Sequence, residues 1–155
     1  MAAKILVADD HEIVLEGIRT LVDRSRREWE ICGAARNGKE AVEMVQALRP
    51  DIVVLDITMP VMSGLEAATQ IAKLRLGCQV LMFTMHESQR LATEVRESGA
   101  QGYVLKSQAA RDLIRAIDCL LAGNTFFGAP PESEREENDK PNPGILFCRA
   151  SFAGT

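Results

Sequence analysis

The sequence predicts an α/β fold: a doubly wound, five-stranded parallel sheet with helices on both faces. Residues 1–128 alternate strand and helix patterns five times, and repeated β-then-α units are typical of parallel sheets with right-handed crossovers. The third unit opens with Asp51–Leu55 (DIVVL), which lies between Pro50 and Pro60 and is typical of a strand buried on both faces. Five strands fit the order 2-1-3-4-5, which is one common arrangement of such sheets.

The first two units carry clear strand and helix signals. Residues 4–8 (KILVA) form a short apolar run, and apolar residues at helical spacing follow over residues 13–22. Residues 30–35 (EICGAA) suit a second strand. Asn37, with a glutamate three residues later, resembles a capping box, and Pro50 is expected to stop the helix that follows.

The later units repeat this alternation. Apolar residues from Leu65 to Leu74 predict a third helix that ends by Gly77. Ser107 is expected to cap a last helix that ends at Gly123. Two strands and a short helix are expected at residues 79–84 (QVLMFT), 102–105 (GYVL) and 91–95.

The chain divides into one domain and a tail of different composition. Residues 1–124 are predicted to form the domain, and residues 125–155 a linker and tail that is flexible and rich in proline and charge. Residues 129–155 hold four of the six prolines and begin APPESEREENDKPNPG. Such a composition, low in apolar residues, does not favour a packed core.

Charge and hydropathy exclude some classes of protein. The net charge of −4 gives no overall basic field toward nucleic acid. No apolar stretch reaches the roughly 18 residues of a spanning helix, and the N-terminus does not resemble a secretory signal. The four cysteines show no CxxC pair. We therefore expect a cytoplasmic protein that does not bind membranes.

Polar residues follow four of the predicted strands. Asp9 and Asp10 come after the first strand, Asp56 after the third, Thr84 at the end of the fourth and Lys106 after the fifth. Taken alone, each has an ordinary explanation as a helix cap, a strand residue or a surface charge. Together they are expected at the carboxyl edge of one sheet, where open α/β sheets place their binding sites.

This set of residues suits phosphoryl transfer. Three carboxylates repel one another, and a hard cation such as Mg²⁺ relieves the repulsion while leaving coordination positions for phosphoryl oxygens. Lys106 adds a positive charge and Thr84 a hydroxyl donor. No glycine-rich phosphate loop of the GxxxxGKS type is present, so nucleotide binding is disfavoured. We therefore expect the phosphoryl group to come from another protein or a small donor, with Asp56 as the nucleophile.

The chain resembles the response-regulator receiver domains of two-component signalling. The resemblance covers residues 3 to about 124 and depends on ILVADDHEIVLEGI, DIVVLDITMPVMSGLE, VLMFT and ESGAQGYVLKS. Two of these motifs are most similar to the NarL/FixJ (LuxR-type) branch. The resemblance implies a flavodoxin-like (βα)5 fold, bound Mg²⁺ and a sensor histidine kinase as phosphoryl donor. It also implies a switch on the face formed by the fourth helix, fifth strand and fifth helix.

The resemblance also assigns roles to individual residues. Asp56 matches the phospho-acceptor and a metal ligand, Asp10 a direct metal ligand, and Asp9 an acid that contacts the metal through water. Tyr103 matches an aromatic switch that turns from partial exposure to burial when the threonine moves. The remaining matches are the backbone carbonyl of Thr58 as a third metal ligand, and Thr84 and Lys106 as groups that bind phosphoryl oxygens.

The chain departs from that branch after residue 124. No pair of amphipathic helices follows, so we expect neither a complete helix-turn-helix output domain nor direct DNA binding; a homodimer on phosphorylation is possible. The protein is expected to assist only its own phosphorylation and dephosphorylation. The alternatives are an interaction module that is no longer phosphorylated, and a small phosphatase or hydrolase, which would require a cap insertion. His86 is expected to be a solvated loop residue, and Trp29 to lie roughly 20 Å from the site, at the amino edge of the sheet.

Overall fold

The computed structural model describes residues 2–85 and 88–127, which form a parallel sheet flanked by helices. The longest helices of this part of the chain run 13 residues, and no helix in it is long and apolar enough to cross a membrane. The elements, in chain order, are β1 (Ala3–Ala8), α1 (Glu12–Arg24), β2 (Trp29–Ala35), α2 (Gly38–Leu48), β3 (Ile52–Asp56), α3 (Gly64–Leu74), β4 (Gln79–Thr84), α4 (Gln89–Glu97), β5 (Gly102–Leu105), α5 (Ala109–Leu121) and β6 (Phe126–Phe127).

The strand order confirms the predicted topology and extends it. The sheet runs β2-β1-β3-β4-β5-β6, and all the pairings between neighbouring strands are parallel. The first five strands therefore have the expected order 2-1-3-4-5. The winding reverses between β1 and β3, which places a crevice at their carboxyl ends.

The sheet separates two apolar cores. All five residues of β3 are buried, as expected for a central strand covered on both faces. One core, here called the α1/α5 core, contains residues of those two helices and one face of the strands. The other, here called the α2–α4 core, contains residues of α2, α3 and α4 and the opposite face of the strands.

Helix ends follow the predicted signals in part. The side chain of Asn37 accepts a hydrogen bond from the Glu40 N–H at 2.8 Å, which confirms the predicted cap of α2. α2 ends at Leu48, and Arg49 takes the left-handed conformation directly before Pro50. α3 ends at Leu74, also with an arginine in the left-handed conformation, and so stops before the predicted Gly77.

The predicted cap of α5 is wrong. Ser107 lies within a 3₁₀ turn, Lys106–Gln108, and α5 begins after it at Ala109. Gln108 occupies the cap position and its side chain makes no capping hydrogen bond. The turn allows the chain to reverse sharply at the end of β5, directly where Lys106 leaves the sheet.

β6 is an element that the sequence did not predict. It lies two residues beyond the predicted domain boundary at residue 124, so part of the predicted linker belongs to the sheet. The boundary itself stays a prediction, because residues 128–155, the rest of the predicted tail, lie outside the described residues. Trp29 begins β2 and pairs with Ala3, the first residue of β1, so it does lie at the amino edge.

Candidate functional site

Two buried carboxylates lie at the carboxyl ends of adjacent strands. Asp9 directly follows β1 and Asp56 ends β3, and these strands are hydrogen-bonded neighbours. Each aspartate comes two residues after a valine of the α1/α5 core, Val7 or Val54. Because side chains alternate along a strand with period two, both carboxylates lie toward the same face of the sheet. Only 1% of Asp9 and 5% of Asp56 is exposed.

The Lys106 ammonium contacts both carboxylates. Its Nζ lies 2.8 Å from Asp9 Oδ2 and 3.4 Å from Asp56 Oδ2. It also lies 5.8 Å from the centre of the Phe83 ring, so the lysine side chain packs over the end of β4. The contact with Asp9 is an ion pair and not a well-oriented hydrogen bond, because Asp9 Oδ2 accepts no hydrogen bond of good geometry. One ammonium thus faces two buried negative charges.

Asp56 is shifted toward its protonated form. Burial raises the pKa of its carboxyl above the usual value, and the negative charge of Asp9 raises it further. Lys106 opposes the shift through its charge and a hydrogen bond, and so does the Thr58 N–H, which lies 3.4 Å from Asp56 Oδ1. The raised pKa shows that the positive charge of Lys106 does not fully offset burial and the neighbouring acid.

Asp10 and His11 extend this pair into a cluster. One ligand atom from each of Asp9, Asp10, His11 and Asp56 lies within 4.8 Å of the others. His11 Nδ1 lies 3.1 Å from an oxygen of both Asp9 and Asp10. The His11 backbone N–H also donates to Asp9 Oδ1 at 2.8 Å. Sequence reasoning gave His11 no role, although its place directly after the two aspartates was a signal that it would lie beside them.

The donor atoms of this cluster fit a hard divalent cation. Carboxylate oxygens are the ligands that Mg²⁺ prefers, and Mg²⁺ usually keeps several waters. The cluster has a buried oxygen without a hydrogen bond, Asp9 Oδ2, and carries more negative than positive charge. The Asp10 side chain is 34% exposed, so the cluster is open to solvent and to retained waters.

Thr84 and Tyr103 lie toward the opposite core. Thr84 ends β4, two residues after Met82, and Met82 pairs with Tyr103 of β5. Met82 and Tyr103 both belong to the α2–α4 core, and period two puts Thr84 on that side of the sheet as well. Thr84 is 4% exposed and Tyr103 is 5% exposed. The tyrosine ring is buried in this structure, and Phe127 lies against it. The movement of Tyr103 from partial exposure to burial on phosphorylation stays a prediction.

Two further predictions concern Thr58 and His86. The backbone carbonyl of Thr58 as a metal ligand stays a prediction, although its N–H already points toward Asp56. His86, expected to be a solvated loop histidine, lies outside the described residues.

Comparison with known sequences identifies the family to which this chain belongs. The response regulator receiver domain family matches residues 5–118. The transcriptional regulatory protein LnrK of Bacillus subtilis is 39% identical over 129 residues, which cover 83% of this chain and 57% of LnrK. Response regulator UvrY of Escherichia coli K12 is 31% identical over 125 residues, covering 81% of this chain and 57% of UvrY. This chain thus spans little more than half the length of these relatives.

Solved structures share the fold. A LuxR-family two-component response regulator from Aurantimonas sp. SI85-9A1 is 35% identical, with a TM-score of 0.79, and the match covers 91% of this chain and 100% of that one. The receiver domain of the putative response regulator NarL from Mycobacterium tuberculosis is 27% identical, with a TM-score of 0.75, covering 79% and 98%.

Proposed function

This chain belongs to the response regulator receiver domain family, and on that premise we propose that Asp56 takes a phosphoryl group from a sensor histidine kinase. The position of Asp56 carries the proposal. It is a buried carboxylate at the end of a central strand, 3.4 Å from the Lys106 ammonium and clustered with two further aspartates. A carboxylate held in this way can act as a nucleophile toward a phosphoryl group.

In the proposed step, an Asp56 carboxylate oxygen attacks the phosphorus of the kinase phosphohistidine. An O–P bond forms, the N–P bond breaks, and the electron pair of the broken bond returns to the imidazole of the kinase. Lys106 stays beside the acceptor and offsets the negative charge of the phosphoryl oxygens. Thr84, at the end of the next strand, supplies a hydroxyl to one of these oxygens.

The acidic cluster suits a metal ion in this step. Asp10, Asp56 and the Thr58 carbonyl would bind Mg²⁺ directly, and Asp9 through water. When bound, Mg²⁺ supplies the positive charge that Lys106 alone does not, and it offsets the charge on the phosphoryl oxygens. The raised pKa of Asp56 supports this assignment, because an added cation favours the ionised, nucleophilic carboxylate.

The site supports self-phosphorylation and not turnover of free substrates. The loop between β3 and α3 is only seven residues long, and no cap insertion covers the cluster within residues 2–85 and 88–127. Asp10 and His11 at its mouth are exposed. We propose that a partner protein approaches this open side, and that the chain catalyses only its own phosphorylation and dephosphorylation.

The proposed effect of phosphorylation reaches the surface through the α2–α4 core, on the face of the sheet opposite to Asp56. Phosphorylation draws Thr84 toward the phosphoryl group, Tyr103 responds on the same face, and the surface of α4, β5 and α5 is remodelled. A second copy of the phosphorylated chain is the proposed partner for that surface. Relatives such as LnrK are called transcriptional regulatory proteins, but we propose that this 155-residue chain with net charge −4 does not itself bind duplex DNA.

Labelling with a small donor tests the proposed acceptor. The chain is incubated with acetyl phosphate and Mg²⁺, and the phosphorylated peptide is identified by mass spectrometry. Asp56→Asn is expected to abolish labelling, because an amide is a far weaker nucleophile. Asp51→Asn is the matched control: Asp51 precedes the same strand at the other edge of the sheet, where it accepts the Lys4 N–H at 2.7 Å. Labelling of Asp56→Asn at the wild-type rate would refute the assignment.

A further inference from the structure

Phe127 joins the segment after α5 to two elements of the proposed switch surface. Its ring centre lies 6.3 Å from that of Tyr103 on β5, with the ring planes tilted by 60°. The guanidinium carbon of Arg96, on α4, lies 3.8 Å from the centre of the Phe127 ring, a close cation–π contact. One side chain therefore packs between the buried tyrosine and α4.

The end of α5 aims the chain at this position. Gly123, with φ of +87°, lies after the last turn of the helix. Its N–H donates to the Leu120 carbonyl at 3.0 Å, and the Asn124 N–H donates to the Cys119 carbonyl at 2.9 Å. These two bonds form a Schellman motif, which fixes the direction in which the chain leaves a helix.

β6 then pairs closely with β5. The Phe126 N–H donates to the Gln101 carbonyl at 3.0 Å, and Phe126 and Phe127 align with Gly102 and Tyr103. A Cβ atom at Gly102 would come within 2.0 Å of the Phe126 carbonyl oxygen, so the backbones approach more closely than another residue would allow. Phe126 is 9% exposed and belongs to the α1/α5 core. The pairing places the next ring, Phe127, against Tyr103.

We propose that β6 is a latch that holds the Tyr103 ring buried before phosphorylation. The ring is 5% exposed with Phe127 packed on it, and Arg96 covers Phe127 in turn. The position of Tyr103 and the path of the chain over residues 123–127 are thereby coupled. This coupling rests on the proposed function, whereas the burial of the ring by Phe127 does not. Binding equilibria that share one state are linked. If a phosphoryl mimic favours the state in which the Tyr103 ring is buried, a latch that favours that state also strengthens binding of the mimic.

The burial of the ring can be measured directly, because Tyr103 is the only tyrosine in the chain. Nitration by tetranitromethane is expected to be slow in the wild type. It should be several-fold faster in Phe127→Ala, which uncovers the ring, and intermediate in Arg96→Gln. Arg90→Gln is the matched control, since Arg90 lies on the same helix but is 90% exposed and pairs with Glu94. It should nitrate at the wild-type rate.

A folding defect is separated from a lost latch by a second variant. Phe127→Leu keeps an apolar side chain but loses the aromatic face, so its nitration rate should lie between those of the wild type and Phe127→Ala. Urea unfolding, followed by the fluorescence of Trp29, identifies the conditions in which each variant is folded. A folded Phe127→Ala whose Tyr103 is nitrated at the wild-type rate would overturn the latch.

Beryllofluoride, a phosphoryl mimic, tests the coupling. With Mg²⁺ present, Phe127→Ala should bind it about fivefold more weakly than the wild type, the lower end of typical coupling between sites. Equal affinity in the two proteins would refute the coupling. If the wild type bound no beryllofluoride, the proposed function and the coupling would both be overturned, while the nitration rates would still decide whether β6 covers Tyr103.

Discussion

The two edges of the sheet hold charged residues in different ways. At the amino edge, Arg27 and Asp118 form a one-to-one pair, with Arg27 Nε 3.0 Å from both carboxylate oxygens, and 37% of the arginine side chain is exposed. At the carboxyl edge, Asp9 and Asp56 are buried and share the Lys106 ammonium. The charges of the Arg27–Asp118 pair balance, and those of Asp9, Asp56 and Lys106 do not.

At the amino edge, other charged residues lie at the ends of helices and of the first strand. Lys4 Nζ donates to the Leu48 carbonyl at the end of α2, at 2.7 Å. Arg49 and Arg75 take left-handed conformations that end α2 and α3. The two edges therefore differ in how fully their charges are paired.

The largest expected difference is in stability. Lys106→Met leaves two buried carboxylates without their cation and should lower the free energy of unfolding by about 3 kcal/mol at pH 7. Arg27→Met breaks a partly exposed pair and should cost about 1 kcal/mol or less. Urea unfolding of both variants measures the difference. Equal losses of stability would show that Lys106 offsets no more unfavourable charge at the carboxyl edge than Arg27 does at the amino edge.

The next largest expected difference is in the affinity for Mg²⁺. Asp10→Ala removes a proposed direct ligand and should weaken Mg²⁺ binding by about tenfold or more, the scale on which even supporting residues of metal sites act. It should also slow labelling by acetyl phosphate more than Thr84→Ala does, because we propose that the Thr84 hydroxyl contacts the phosphoryl group chiefly once it is on Asp56. Asp23→Ala, which removes an exposed acid near the end of α1, is the control. Mg²⁺ titrations that do not distinguish Asp10→Ala from the wild type would contradict the assignment.

A smaller effect concerns pH. Because burial and Asp9 raise the folded pKa of Asp56, the folded state binds a proton more tightly than the unfolded state, and ionisation of Asp56 lowers stability as pH rises through that interval. In metal-free buffer, Asp56→Asn should therefore be more stable than the wild type at pH 7, because the amide carries no charge to bury. The gain should disappear below the unfolded pKa, near 3.8. A variant that is less stable than the wild type at neutral pH would contradict this sign.

The fold was predictable from sequence where strong local patterns define it. The apolar run of β3 and the Asn37 cap act through nearby residues, so they could be recognised without the structure. β6 could not, because two phenylalanines are too short for a periodic signal and form a strand only by pairing with β5. Ser107 has a strong capping preference, but the turn at Lys106 takes priority over it. The contact between Tyr103 and Phe127 joins residues 24 apart in the chain, which no local pattern reveals.

The most direct test of the contrast between the edges is an NMR titration of the wild-type chain with Mg²⁺ and then beryllofluoride. Backbone amide signals of residues 9–11, 56–58, 84 and 106 should shift, because these residues lie at the carboxyl edge. The indole signal of Trp29, at the amino edge, should stay unchanged. Asp10→Ala should lose the response to Mg²⁺. A strong shift of Trp29 with Mg²⁺ alone, while the signals of residues 9–11 and 56–58 stay fixed, would contradict the central claim.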